Sequence, residues 1–104
     1  MASQRPVITQ QPADGYAQAG GPFTFHIRTE KNEADPASHI WFKNGVRVET
    51  QYDNPSSLIS LLTEGSLFFL QFKSEDAGTY MCRVTNSAGS VTSQNATVQL
   101  AGEC

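Results

Sequence analysis

The most constraining stretch of this 104-residue chain is Asp76-Ala77-Gly78-Thr79-Tyr80-Met81-Cys82, which reads D-x-G-x-Y-x-C. It follows an apolar run, Leu67-Phe68-Phe69-Leu70-Gln71-Phe72. Side chains alternate along an extended backbone, so Tyr80 and Cys82 share one face while Thr79 and Met81 take the other. Gly78 fits a chain that turns sharply before it enters the strand, where a Cβ would be costly.

The length gives one expected domain, residues 1–104 with a core over about 6–100, large enough for two layers. Apolar residues make 38% and charged residues 16%, a foldable composition. A formal charge of −3 argues against nucleic acid or an acidic membrane surface as the main partner. The N-terminus has no apolar leader core, and no span is long enough to cross a bilayer, so no membrane insertion is expected. Cys82 and Cys104 make an even count, yet count is not geometry. A rise of ~3.3 Å per residue puts a mid-strand Cys82 tens of ångströms from a residue beyond the last strand, far past the ~7 Å Cα limit for a bridge. Both are expected as free thiols.

Taken in order, Arg5–Pro12 is a short extended piece bracketed by prolines, and Tyr16–Ala19 follows the turn signal Asp14-Gly15. Phe23–Arg28 alternates, with Phe23, Phe25 and Ile27 on one face. A polar loop from Thr29 to Ser38 leads to a strand at His39–Lys43 that holds the sole tryptophan, Trp41. Asn44-Gly45 is a strong hairpin signal before Val46–Val48, because both residues tolerate positive φ. Leu58–Leu62 and the run from Leu67 read as strands joined at Glu64-Gly65-Ser66; Asn86–Gly89 turns into a last strand, Ser90–Leu100. About eight to nine short strands with turns at this spacing predict an all-β sandwich of two antiparallel sheets.

Over roughly residues 6 to 100 this pattern resembles an intermediate-set immunoglobulin domain, of the titin-like muscle and cell-adhesion families. The resemblance rests on Trp41, Asp76, Gly78, Tyr80, Cys82, Asn86 and Gly89. It implies a tyrosine corner, in which the Tyr80 ring is buried and its hydroxyl bonds back to the preceding loop. It also implies a core of Ile27, Trp41, Leu67, Phe69, Asp76, Gly78, Tyr80 and Cys82. One departure stands out. Where the family carries the second cysteine of its inter-sheet disulfide, alignment of the inward face puts Ile27, 14 residues before Trp41 and 55 before Cys82. The domain forgoes ~4 kcal/mol of loop-closure stabilisation. Burial of the larger Ile27 offsets ~2 kcal/mol of it. An unpaired core thiol favours a reducing compartment.

The sequence contains no G-x-S-x-G, C-x-x-C, H-E-x-x-H or phosphate-loop motif, and it supports neither an enzyme nor a cofactor. His26 and His39 read as surface histidines, and Glu30, Glu33 and Asp35 as a solvated acidic loop. Asn95-Ala96-Thr97 is an N-glycosylation acceptor, meaningful only in a secreted protein.

What remains is surface. If Leu67 and Phe69 point inward, Phe68 and Leu70 point outward, and Leu58 and Leu62 on the neighbouring strand join them. Such an apolar group either marks a contact face for other proteins, for neighbouring domains of one chain or for self-association, or is covered by the Tyr16–Ala19 piece, a loop or a neighbouring domain. The resemblance therefore implies a non-catalytic interaction or spacer module of a larger intracellular, cytoskeletal or sarcomeric protein. The alternative is an extracellular adhesion or receptor domain.

Overall fold

The computed structural model describes residues 5–30, 34–48, 59–62 and 64–101. Its strands are β1 (Ile8–Gln10), β2 (Gly15–Ala17), β3 (Phe23–Phe25), β4 (Arg28–Thr29), β5 (Ser38–Lys43) and β6 (Val46–Arg47). There follow β7 (Ile59–Leu61), β8 (Leu67–Phe69), a 3₁₀ turn at Ser74–Asp76, β9 (Gly78–Asn86), β10 (Gly89–Thr92) and β11 (Ala96–Leu100). One layer runs β2-β11-β9-β5-β6, with β10 also on β9; the other is β3-β8-β7 with the β1-β4 pair beside it in sequence. The pairings are antiparallel except β2 on β11, which is parallel. The eleven described segments make nine strands, because two strands are each broken in the middle.

The first break replaces the expected continuous strand Phe23–Arg28. Here β3 pairs with β8, β4 pairs with β1, and His26-Ile27 lies between them. The Ser66 hydroxyl fills the gap, accepting the Ile27 N–H at 3.1 Å. The second break interrupts the expected strand Ser90–Leu100 at Ser93–Asn95. There the Ser93 hydroxyl accepts the Cys82 N–H at 2.9 Å, and the Ser93 N–H donates to the Cys82 carbonyl at 2.8 Å. In both places a side-chain oxygen meets a backbone group that the ladder would otherwise leave unpaired. The chain also changes layers early: β1 belongs to one sheet and β2 to the other, with the buried Pro12 between them.

The layers share one core. Phe25, Ile27, Leu61, Leu67, Phe69 and Phe72 meet Trp41, Tyr80, Cys82, Val84, Ala96 and Val98. Aromatic rings bridge the interface, with Phe25 stacked on Trp41 at 5.8 Å, Phe25 on Tyr80 at 4.9 Å and Phe69 edge-on to Tyr80 at 5.7 Å. Such pairs add to burial through ring quadrupoles, by ~0.5–1.5 kcal/mol each. At the Asn44-Gly45 hairpin both φ angles are positive, 50° and 84°, as a two-residue turn between twisted strands requires. Phe72 is fully buried and held by backbone bonds to Gly20 and Gly21 at 2.7 and 2.8 Å.

Candidate functional site

The sheet corner is built from the 3₁₀ turn upward. Asp76 Oδ2 accepts the Lys73 N–H at 2.9 Å and closes the turn. The Tyr80 hydroxyl then donates to the Asp76 carbonyl at 2.6 Å, with the ring buried. Burial, and then the nearby Asp76 carboxylate, raise the Tyr80 pKa, so the phenol stays a donor. Trp41 is 1% exposed, and its indole N–H donates to the Gly65 carbonyl at 2.9 Å. Ile27, Leu67, Phe69 and Cys82 have no exposed surface, whereas Asp76 and Gly78 are half-buried. Cys82 is a free thiol, and burial pushes its pKa up to about 12. A thiol held protonated at neutral pH is not a nucleophile. Cys104 lies outside the described residues.

The two histidines part company. His26 is exposed, but His39 is not the surface residue expected from its place near the start of β5. It sits two residues before Trp41, on the inward side, with its Nε2 buried and unbonded. Its ring lies over Gly65, where an added Cβ would come within 2.3 Å of the imidazole. Gly65 has φ +101°, which also excludes most side chains. Burial lowers the His39 pKa, so the neutral form is the one this pocket accepts.

His26 lines a cleft of about 220 Å³ with Gln10, Asp14, Phe23 and Thr24. That volume is below the roughly 300 Å³ of ordinary ligand pockets. Asp14 is already engaged, since its Oδ1 accepts the Thr97 N–H at 2.7 Å and anchors β11. Among the described residues no three His, Cys, Asp or Glu side chains gather to hold a metal ion. Asp35 belongs to structure and not to a free acidic loop: it takes the Ser87 N–H at 3.2 Å and the Ser87 hydroxyl at 2.8 Å, tying two loops at one end of the sandwich. Glu33 lies outside the described residues.

On the outer face of the smaller sheet, Phe68 stands in register with Thr24 on β3 and Ser60 on β7. It is half-buried between the fully buried Leu67 and Phe69. Leu70 is 39% exposed, and Leu62 is half-buried at the β7–β8 turn, where its N–H donates to the Ser66 carbonyl. Leu58 lies outside the described residues. Asn95 is exposed in the break between β10 and β11. Sequence reasoning missed His39, Phe72, Ser66 and Ser93. Only Phe72 left a trace, as the last member of the apolar run.

Two stacked β-layers, a buried tryptophan and a tyrosine corner define an immunoglobulin-type sandwich. The family model described as "Immunoglobulin domain" matches residues 5–86, and the chain belongs to that family. It is 38% identical to Roundabout homolog 2 of Homo sapiens across 92% of its length. It spans only 6–8% of the length of such curated relatives. Among solved structures, the N-terminal Ig1-2 module of the Drosophila receptor protein tyrosine phosphatase DLAR superposes with a TM-score of 0.79 and 27% identity, covering 95% of this chain and 47% of that one. Titin M4 does so with 0.78 and 25%, covering 97% and 100%. Immunoglobulin domains serve as protein-interaction modules and are typically not catalytic. Among the described residues no helix is long and apolar enough to cross a membrane.

Proposed function

We propose that this chain is a non-catalytic protein-binding module of a larger multidomain protein, and that it binds through the outer face of the β3-β8-β7 sheet. The observation that carries the reading is Phe68: an aromatic turned away from the core and only partly covered, with Leu70 39% exposed and Leu62 half-buried nearby. Removing such a ring from water on binding contributes ~2 kcal/mol and makes an anchor. The competing loops around Asp35 and Asn86 are polar, and hydrogen bonds within the chain occupy Asp35. The double variant Phe68→Ser, Leu70→Ser is expected to keep its fold while losing association with neighbouring domains of the parent chain, or with itself. A folded variant whose every association is unchanged, by sedimentation and by titration against those domains, removes this face as the interface.

A cell-surface setting is supported by the 27% likeness to a receptor phosphatase module and by Asn95, exposed at an acceptor sequence outside the strand ladder. An intracellular spacer is the second reading, supported by the unpaired, buried Cys82 and by the likeness to titin M4. Enzymatic deglycosylation of the protein taken from its native source separates them. A mass loss that disappears in Asn95→Gln places the domain in the secretory pathway, and an unmodified Asn95 removes that support.

A further inference from the structure

We propose that Asn44 is a modification site. Its side-chain amide latches the β5–β6 hairpin to β9, and when the latch opens Asn44-Gly45 rearranges spontaneously to isoaspartate, which leaves the hairpin unlatched. Alone among the asparagines of the chain, Asn44 is followed by glycine. Register pairs Lys43 with Tyr80, so Asn44 and Thr79 come next along the β5–β9 ladder. The Asn44 N–H still donates to the Thr79 carbonyl, at 2.8 Å. The backbone, however, has turned out of the strand at Asn44, where φ is +50°. The side-chain Oδ1 therefore stands in for a main-chain carbonyl and accepts the Thr79 N–H at 3.1 Å. The amide lies against Gly78, where an added Cβ would come within 3.1 Å of Asn44 Nδ2.

Both residues of the turn are exposed to water, and Gly45 has no Cβ to shield its nitrogen. That nitrogen gives up its proton and attacks Asn44 Cγ. The N–Cγ bond forms, the Cγ–Nδ2 bond breaks, and Nδ2 departs as ammonia with the proton from Gly45, closing a succinimide ring. Water then opens the ring at either carbonyl, to aspartate or to isoaspartate, with no oxidation or reduction. The folded hairpin holds the reaction back, because Cγ must swing towards the Gly45 nitrogen while Oδ1 is tied to Thr79. A thermolabile asparagine is thus guarded by a single hydrogen bond. The two products differ in what they do to the fold. Aspartate keeps an oxygen for the Thr79 N–H and tolerates positive φ. Isoaspartate routes the main chain through Cβ and Cγ, which lengthens a two-residue turn whose twist is matched to its strands. The Thr79 N–H then loses its acceptor.

The test incubates the 104-residue protein and a synthetic peptide of residues 40–48 in the same mildly alkaline buffer. Peptide mapping, with enzymatic methylation of isoaspartyl carboxylates, scores the products. The peptide is expected to convert to isoaspartate, and the folded protein to do so at least about tenfold more slowly. Urea below the unfolding transition should raise the protein's rate in step with hydrogen exchange at the Thr79 amide, which reports the latch. Exchange at the Cys82 amide, bonded to Ser93 in the core, should lag behind. In the purified isoaspartyl protein the Thr79 amide should exchange at least about tenfold faster than in the parent, whereas in Asn44→Asp it stays protected. If Asn44→Asp does not fold, the aspartyl fraction of the incubated parent replaces it. No isoaspartate at Asn44 even in the peptide, a folded protein that reacts as fast as the peptide, or an isoaspartyl form with parent-like protection at Thr79 each overturns the proposal. Faster conversion at Asn86 or Asn95 than at Asn44 in the unfolded chain overturns it too.

Discussion

Ile27 ties its strand to the core by packing and by a side-chain-to-backbone bond. It is fully buried, and its N–H and carbonyl both meet the Ser66 hydroxyl, at 3.1 and 3.4 Å. Its inward direction was legible, because alternation from Phe23 and Phe25 fixes the face. His39 was not legible. Nothing near it in sequence encloses an imidazole; its cover comes from Gly65, a residue of the β7–β8 turn. The consequence is a pH dependence of known sign. The folded chain holds His39 with a pKa below the usual 6.5, so in acid the unfolded chain binds more protons. Stability is fully present above about pH 6.5 and is lost as pH falls below it, towards the lowered folded value. Unfolding free energies of the parent and of His39→Gln, measured from pH 7.5 to 5, should converge or cross as the parent weakens. Parallel curves would show that His39 titrates equally in both states.

Among the elements, existence and facing were legible while continuity was not. The apolar runs and the Asn44-Gly45 signal located β5 and β6 within a residue and the starts of β8 and β9, because each has its own period or turn chemistry. The breaks within Phe23–Arg28 and Ser90–Leu100 depend on the hydroxyls of Ser66 and Ser93, which reach backbone groups 39 and 11 residues away. A serine in a sequence carries no mark of such a bond. Phe72 escaped for a related reason. Alternation from Leu67 runs out when β8 ends at Phe69, and the turn that inserts Phe72 is set by backbone bonds to Gly20 and Gly21. The Phe68 face was legible from alternation within β8 alone.

Across the whole molecule, two layers close on one aromatic and aliphatic core that holds both Ile27 and Cys82. The relative position of Ile27 and Cys82 is the most exacting part of this claim, since a shift of one residue turns every side chain of a strand to the other face. Ile27→Cys puts it to a direct measurement. The variant is prepared as a monomer, oxidised, mapped by peptide mass analysis, and unfolded in urea with and without reductant. The expected result is a bond between the introduced cysteine and Cys82, with the oxidised form more stable than the reduced one by about 4 kcal/mol, the loop-closure value for a crosslink of this span. A variant that keeps the native fold but forms no such bond, or that bonds to Cys104 instead, would contradict it.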